Sequence, residues 1–305
     1  MQVSKILDER GPIILDGGLS NVLEAMGHDL NHELWTARLL NENPTAIIEA
    51  HLAYLKAGAR IITTASYQAS LPGIMNLGFN RDEAVALILK SVALAEEAIR
   101  LFLKDHPTAQ KPLIAASIGP YGAYLADGSE YRGNYGIEEK ELESFHRSRI
   151  QLLDKTNADL LTCETIPSFD EAKVLGEILK ETNKPSWVSF SCRDDRLLND
   201  STDIEKAVAF FTDNAQVIAV GINCTHPKYI TGLIQRIKHA APMKKVVVYP
   251  NSGEVYNPET KQWAELTEDH AFVDMAQQWR QFGAHFIGGC CRIGPEQIKR
   301  LAASI

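Results

Sequence analysis

Cysteine is scarce in this chain, and what there is does not pair off: five residues in 305, an odd number. A chain of this length can bury a core without covalent staples, so the thiols read as reduced and a disulfide framework is set aside. Long apolar runs are missing too. Nowhere do about 18 apolar residues follow one another, and the start, Met1-Gln2-Val3-Ser4-Lys5-Ile6-Leu7-Asp8-Glu9-Arg10, lacks the apolar core of a signal peptide. Neither a membrane span nor secretion is expected, and the expected location is the cytoplasm. Clustered Lys and Arg are absent and the formal net charge is -8, which excludes a nucleic-acid or anionic-membrane surface. What remains, 45% hydrophobic and 23% charged, is the composition of an ordinary globular protein with a large core.

Short apolar runs alternate with stretches of helical periodicity about eight times, with no compositional break. The runs are Pro12 to Gly18, Arg60 to Tyr67, Pro112 to Ile118, Ala158 to Glu164, Ser186 to Cys192, Val217 to Cys224, Lys245 to Pro250 and His285 to Cys291. Because they are continuous rather than alternating, they read as strands buried on both faces, as in a parallel sheet covered by helices. Helix starts lie between them. Asn80 precedes Glu83 by three, and Ser168 with Glu171 and Thr202 with Glu205 repeat that capping spacing, while Gly294-Pro295 opens the last helix. Eight such units predict a (β/α)8 barrel, one domain over residues 1–305. A doubly wound sheet is the main competitor, but the first turn, Asp16-Gly17-Gly18-Leu19-Ser20, lacks a dinucleotide fingerprint.

Barrel enzymes work at the carboxyl ends of their strands, and there the chain places Asp16, Thr63 to Tyr67, Ser117, Glu164, Cys192, Cys224, Asn251 and Cys290-Cys291. That set is too polar for a core. Three of its cysteines, Cys224, Cys290 and Cys291, could meet at one rim and hold zinc with a coordination position left open, since no C-x2-C or H-x3-H partner stands near to close the shell. Neighbours in a strand face opposite ways, so the Cys290-Cys291 pair needs a backbone turn, for which Gly288-Gly289 offers the freedom. Cys163 and Cys192 read as small buried hydrophobes. The Gly- and Tyr-rich stretch Gly119 to Gly136 is too long for a plain connector and reads as a lid or wall over the site.

Seven segments then fall into one series: Asp16-Gly17-Gly18, Thr63-Thr64-Ala65-Ser66-Tyr67-Gln68-Ala69-Ser70, Ser117-Ile118-Gly119-Pro120, Glu164-Thr165, Gly221-Ile222-Asn223-Cys224, Pro250-Asn251-Ser252-Gly253 and Gly288-Gly289-Cys290-Cys291. Together they resemble the motifs of the zinc-dependent homocysteine S-methyltransferases, in order and over essentially the whole chain. The loop Leu125 to Tyr131 is most similar to the branch that uses S-methylmethionine as donor, and Thr165 departs from the betaine branch, which carries a tyrosine near its donor. The resemblance implies one zinc ion per chain on Cys224, Cys290 and Cys291, with homocysteine sulfur as fourth ligand and Asn251 in that position at rest. It further implies Asp16 and Glu164 at the amino group of homocysteine, Thr63 beside them, and backbone N–H groups near Ser117 at its carboxylate. Trp35 and Tyr67 would face the donor sulfonium. No protein nucleophile is required. S-adenosylmethionine is implied as a secondary donor; betaine, or a barrel that binds zinc and homocysteine without turnover, is the alternative.

Overall fold

The computed structural model describes residues 2–9, 11–30, 34–253, 255–257, 262–264 and 269–305. Each expected apolar run supplies a strand. In chain order the strands are β1 (Ile13–Ile14), β2 (Ile61–Thr63), β3 (Leu113–Ile118), β4 (Leu160–Ile166), β5 (Ser186–Phe190), β6 (Val217–Asn223), β7 (Lys245–Tyr249), β8 (Val255–Asn257), β9 (Gln262–Ala264) and β10 (Ala284–Ile287). Eight of them form one parallel sheet in the order β1-β10-β7-β6-β5-β4-β3-β2, and β8 and β9 form a separate antiparallel hairpin that the apolar pattern did not announce. The ends of the sheet meet. Leu15 bridges Ile61, Asp16 N donates to Ile61 O at 3.1 Å, and Arg60 N donates to Ile14 O at 2.8 Å, so the sheet closes as a (β/α)8 barrel rather than an open doubly wound fold.

The pleat sorts the side chains. Leu15, Ile61, Leu113, Ala115, Leu160, Trp187, Ala219, Val247 and Phe286 fill the barrel interior, while their neighbours Ile62, Ile114, Ala116, Leu161, Cys163, Val188, Val220, Val248 and Ile287 pack outward on the helices. Cys163 therefore faces the helix layer and Glu164 the interior. Several strands stop short of the sequence runs: β1 ends before Leu15, β5 before Ser191, and β10 before Gly288. Leu15, Ser191 and Gly288 still donate to neighbouring strands, at Ile287 O, Ile166 O and Val248 O, and the chain turns over the mouth of the barrel beyond them.

Helix starts follow the capping signals with two corrections. Asn80 and Glu83 close a full reciprocal box, Glu83 N donating to Asn80 Oδ1 at 3.0 Å and Asn80 N to Glu83 Oε2 at 2.7 Å. Ser168 caps its helix, but Glu171 does not return the bond; its carboxylate is fully buried and takes Tyr121 N and His146 instead. In the third case the cap is Asp203, one residue later than Thr202, since it is the Asp203 carboxylate that accepts from Glu205 N at 2.9 Å. Among the described residues no helix is long and apolar enough to cross a membrane.

Candidate active site and metal centre

Two strand ends bring the sulfurs together. Cys224 follows β6 with φ of +48°, and its N–H donates to Tyr249 O at 3.1 Å. The preceding Asn223 is fully buried and fixes this end of β6 to β4: its Oδ1 accepts from Thr165 N at 2.6 Å and from Ser189 Oγ at 2.8 Å, and its Nδ2 donates to Thr165 Oγ1 at 2.7 Å. Cys290 and Cys291 follow β10. Cys290 N donates to Pro250 O at 2.8 Å, Ser252 N donates to Cys291 O at 3.2 Å, and Ile293 N closes the turn on Cys290 O at 3.1 Å. Gly288 and Gly289 serve this turn through space, not through unusual dihedrals, since neither has a positive φ. A Cβ on Gly289 would stand 2.1 Å from Ile293 Cγ2, one on Gly288 2.5 Å from Leu15 Cβ, and one on Gly18 2.7 Å from Cys290 O.

The three sulfurs all lie within 4.8 Å of one another, with Cys224 and Cys291 3.6 Å apart. A tetrahedral ion with bonds of about 2.3 Å to sulfur needs spacings of about 3.8 Å, so the donor set fits a metal with little movement. Their electrostatics agree. The thiols of Cys290 and Cys291 hold Cys224 well below the usual thiol range by donating to it, and the Tyr131 hydroxyl adds a contact at 3.3 Å; Cys290 and Cys291 are themselves pushed up. Cys163 and Cys192 stand apart, buried and pushed up by desolvation.

The sulfurs border a cavity of about 450 Å³ whose lining includes Asp16, Thr63, Tyr67, Glu130, Tyr131 and Glu164. Asp16 accepts from Thr63 N at 2.6 Å and Thr63 Oγ1 at 3.1 Å, yet burial pushes it up to about 8. Glu164 accepts from Ser117 Oγ and from Tyr249, and burial pushes it up to about 7. Both are carboxylates short of positive charge in a pocket open to ligand. Ser117 is fully buried, and the N–H groups expected there for a substrate carboxylate are already engaged: Ser117 N donates to Thr64 Oγ1 at 3.0 Å and Gly119 N to Tyr67 O at 3.2 Å. Asn251 is buried beside the cysteine turn but not on the cavity wall, and its Oδ1 accepts from Gly253 N at 3.0 Å. Trp35 begins a short 3-10 helix, and its side chain lies outside the described residues.

Glu130 and Tyr131 are site residues that strand-end reasoning missed, because they arrive on the loop after β3. Their loop is clamped from behind. Glu171 takes Tyr121 N at 2.6 Å, Tyr135 OH at 2.8 Å and His146 Nε2 at 2.7 Å, and His146 Nδ1 lies 3.0 Å from Arg149 Nη2, which also donates to Gly119 O. Burial lowers His146, and a neutral ring with one donor and one acceptor nitrogen suits a place between Glu171 and Arg149. The signal in the sequence was the length and the Gly and Tyr content of the Gly119 to Gly136 stretch, too long for a plain connector and expected to lie over the site.

A closed parallel barrel with thiols and carboxylates gathered at its carboxyl mouth has the layout of a barrel enzyme with a candidate thiolate metal centre. The family profile described as homocysteine S-methyltransferase matches residues 13–305. The chain belongs to that family, an enzyme family of methyltransferases. It is 44% identical over 305 residues to homocysteine S-methyltransferase YbgG of Bacillus subtilis, covering 99% of this chain and 96% of the relative. It is 41% identical over 318 residues to selenocysteine Se-methyltransferase of Brassica oleracea, covering 98% of this chain and 90% of that one. The crystal structure of homocysteine methyltransferase MmuM from Escherichia coli in its metallated form superposes with a TM-score of 0.89 at 40% identity, covering 99% of both chains.

Proposed function

We propose that this protein transfers a methyl group from S-methylmethionine to the sulfur of homocysteine, giving two methionines, with S-adenosylmethionine as a secondary donor. The observation that carries the reading is the meeting of three cysteine sulfurs within 4.8 Å on the wall of a cavity that also holds Asp16 and Glu164. Cys224, Cys290 and Cys291 would hold one zinc ion per chain, which when bound supplies the charge that keeps a substrate thiol deprotonated at neutral pH. Asp16 and Glu164 receive the ammonium group of homocysteine, Thr63 orients Asp16, and Ser117 orients Glu164. Asn251 is the resting fourth ligand in this reading and gives up its bond to Gly253 to reach the site. Tyr67 and Trp35 face the donor. The sulfur of homocysteine attacks the methyl carbon, and the donor's carbon–sulfur bond breaks with its electron pair passing to the departing sulfide. That sulfide leaves neutral, so no general acid is needed, and positioning by the cavity walls carries the rest. The unit is one homocysteine-binding barrel over residues 1–305, working on small molecules in the cytoplasm.

A donor panel with homocysteine, read by mass spectrometry, tests this. Methionine should form fastest with S-methylmethionine. Preference for betaine would overturn the donor assignment, and homocysteine binding with no methionine from any donor would leave a non-catalytic binding barrel.

A further inference from the structure

Donor and product differ by one methyl group and one positive charge. The pocket that takes S-methylmethionine therefore also meets methionine, two molecules of which arise in each turnover. A wall that reads shape alone separates two such ligands by about tenfold for the one carbon, so charge is the better handle. Resting on the sulfonium-donor reading above, we infer that Glu130 recognises the positive charge of the donor and so sets the preference for S-methylmethionine over methionine.

Glu130 lines the cavity, and its Oε2 is buried without a hydrogen-bond partner. Of the other acids of the wall, the buried two are engaged, Asp16 by Thr63 and Glu164 by Ser117, while Glu24 and Asp29 are exposed to solvent. The nearest cation on the loop, Arg132, turns outward to Asp127 Oδ2 at 3.2 Å and Ser129 Oγ at 2.9 Å. The backbone of Glu130 is fixed, since Ser191 Oγ donates to its carbonyl at 3.2 Å and a Cβ on Gly122 would stand 2.4 Å from its nitrogen. The next residue, Tyr131, puts its hydroxyl 3.3 Å from Cys224 Sγ, so this loop brings Glu130 to the same cavity that the sulfur cluster borders. A carboxylate with an unpartnered buried oxygen is costly until a cation arrives, and a neutral thioether brings none. Transfer abolishes the charge Glu130 holds. The contact therefore tightens donor binding without aiding the chemical step, and it lets product go.

The test uses metal-loaded enzyme and three measurements: KM for S-methylmethionine, KM for homocysteine, and inhibition by methionine competitive with the donor. In Glu130→Gln the donor KM should rise at least about tenfold, the size expected for loss of a charged contact, with kcat unchanged or slightly raised. Methionine inhibition and homocysteine KM should hold, and Glu130→Asp, which keeps the charge, should recover donor preference. Equal weakening of S-methylmethionine and methionine would reduce Glu130 to a shape contact, and a rise in homocysteine KM alone would put it at the acceptor; either result overturns the inference. A wild-type enzyme that makes no methionine from S-methylmethionine defeats the function reading instead, so the two failures are separable.

Discussion

Burial holds Asp16 and Glu164 at about 8 and about 7, so in the empty protein both carboxyls keep protons into the neutral range. Their unfolded values are near about 3.9 and about 4.3, so from roughly pH 4.5 upward the native state binds more protons than the unfolded chain. Each group then destabilises the empty fold as pH rises through that window towards its folded value. An ammonium group reverses the preference, because it favours the ionised form of the carboxylate it meets. Homocysteine KM should accordingly fall between pH 6 and pH 8, and Glu164→Gln should raise it about tenfold while making that fall shallower. The comparison between variant and wild type is the readout, since the substrate thiol titrates in both. An equally steep profile in Glu164→Gln would assign the pH dependence elsewhere. Asp16, Glu164 and the three cysteines were legible in the sequence because each sits at the end of an apolar run, often with glycine beside it. Glu130 and Tyr131 were legible only as part of the Gly119 to Gly136 stretch expected to wall the site, since a loop has no period from which the aim of a single side chain could be read. Ser117 was legible as a rim residue, but its N–H was spoken for by Thr64, a pairing across strands that only coordinates reveal.

The rim elements explain how two neighbouring cysteines come to serve one site. The segment after β10 runs so close to the β1 end that side chains are excluded at Gly18 and Gly288, while Gly289 is closed off by Ile293 within the turn itself, and these contacts fix the Cys290 to Ile293 turn. The sequence marked the glycines correctly and suggested the wrong reason, backbone freedom, because crowding between distant segments leaves no local trace. Gly289→Ala places a methyl 2.1 Å from Ile293 Cγ2 and 2.3 Å from its Cβ, a branched side chain that cannot swing away. It should destabilise the protein by about 1–3 kcal/mol in urea melts and lower the metal bound per chain. Gly11→Ala is the control, with nothing within 4 Å of the added carbon and no positive φ, and it should be neutral or slightly stabilising. A Gly289→Ala protein as stable and as fully metallated as that control would show that the close approach does not hold the turn. Capping signals carried the same lesson on a smaller scale. Asn80 with Glu83 behaved as a local device, whereas Glu171, in the same spacing from Ser168, is taken by His146 and the loop after β3.

At the scale of the whole molecule, eight apolar runs were enough to anticipate a closed barrel, because parallel strands buried on both faces must be wrapped in helices. The β8–β9 hairpin escaped that count, being an addition after β7 outside the repeating pattern. Closure has a consequence for the metal centre. The three cysteines that could hold an ion come from the ends of β6 and β10, and β7 runs between them: Cys224 N donates to Tyr249 O at 3.1 Å and Cys290 N to Pro250 O at 2.8 Å. Each cysteine is thus positioned by main-chain bonds to β7 and its extension, independent of any ion. This arrangement differs from small metal domains, whose ligands assemble only with the ion and which unfold without it. Stripping the metal with a chelator should leave the far-UV circular dichroism of the barrel unchanged while activity is lost and then restored by added zinc. Mass action still stabilises the loaded form, by about 2.7 kcal/mol when free metal is a hundredfold above its dissociation constant. For a chain of this size that amounts to a fall in Tm of about 5 °C on removal. Loss of helical signal on chelation, or a Tm drop several times larger, would mean that the thiols depend on the ion for their place and that the β7 hydrogen bonds do not hold the site ready.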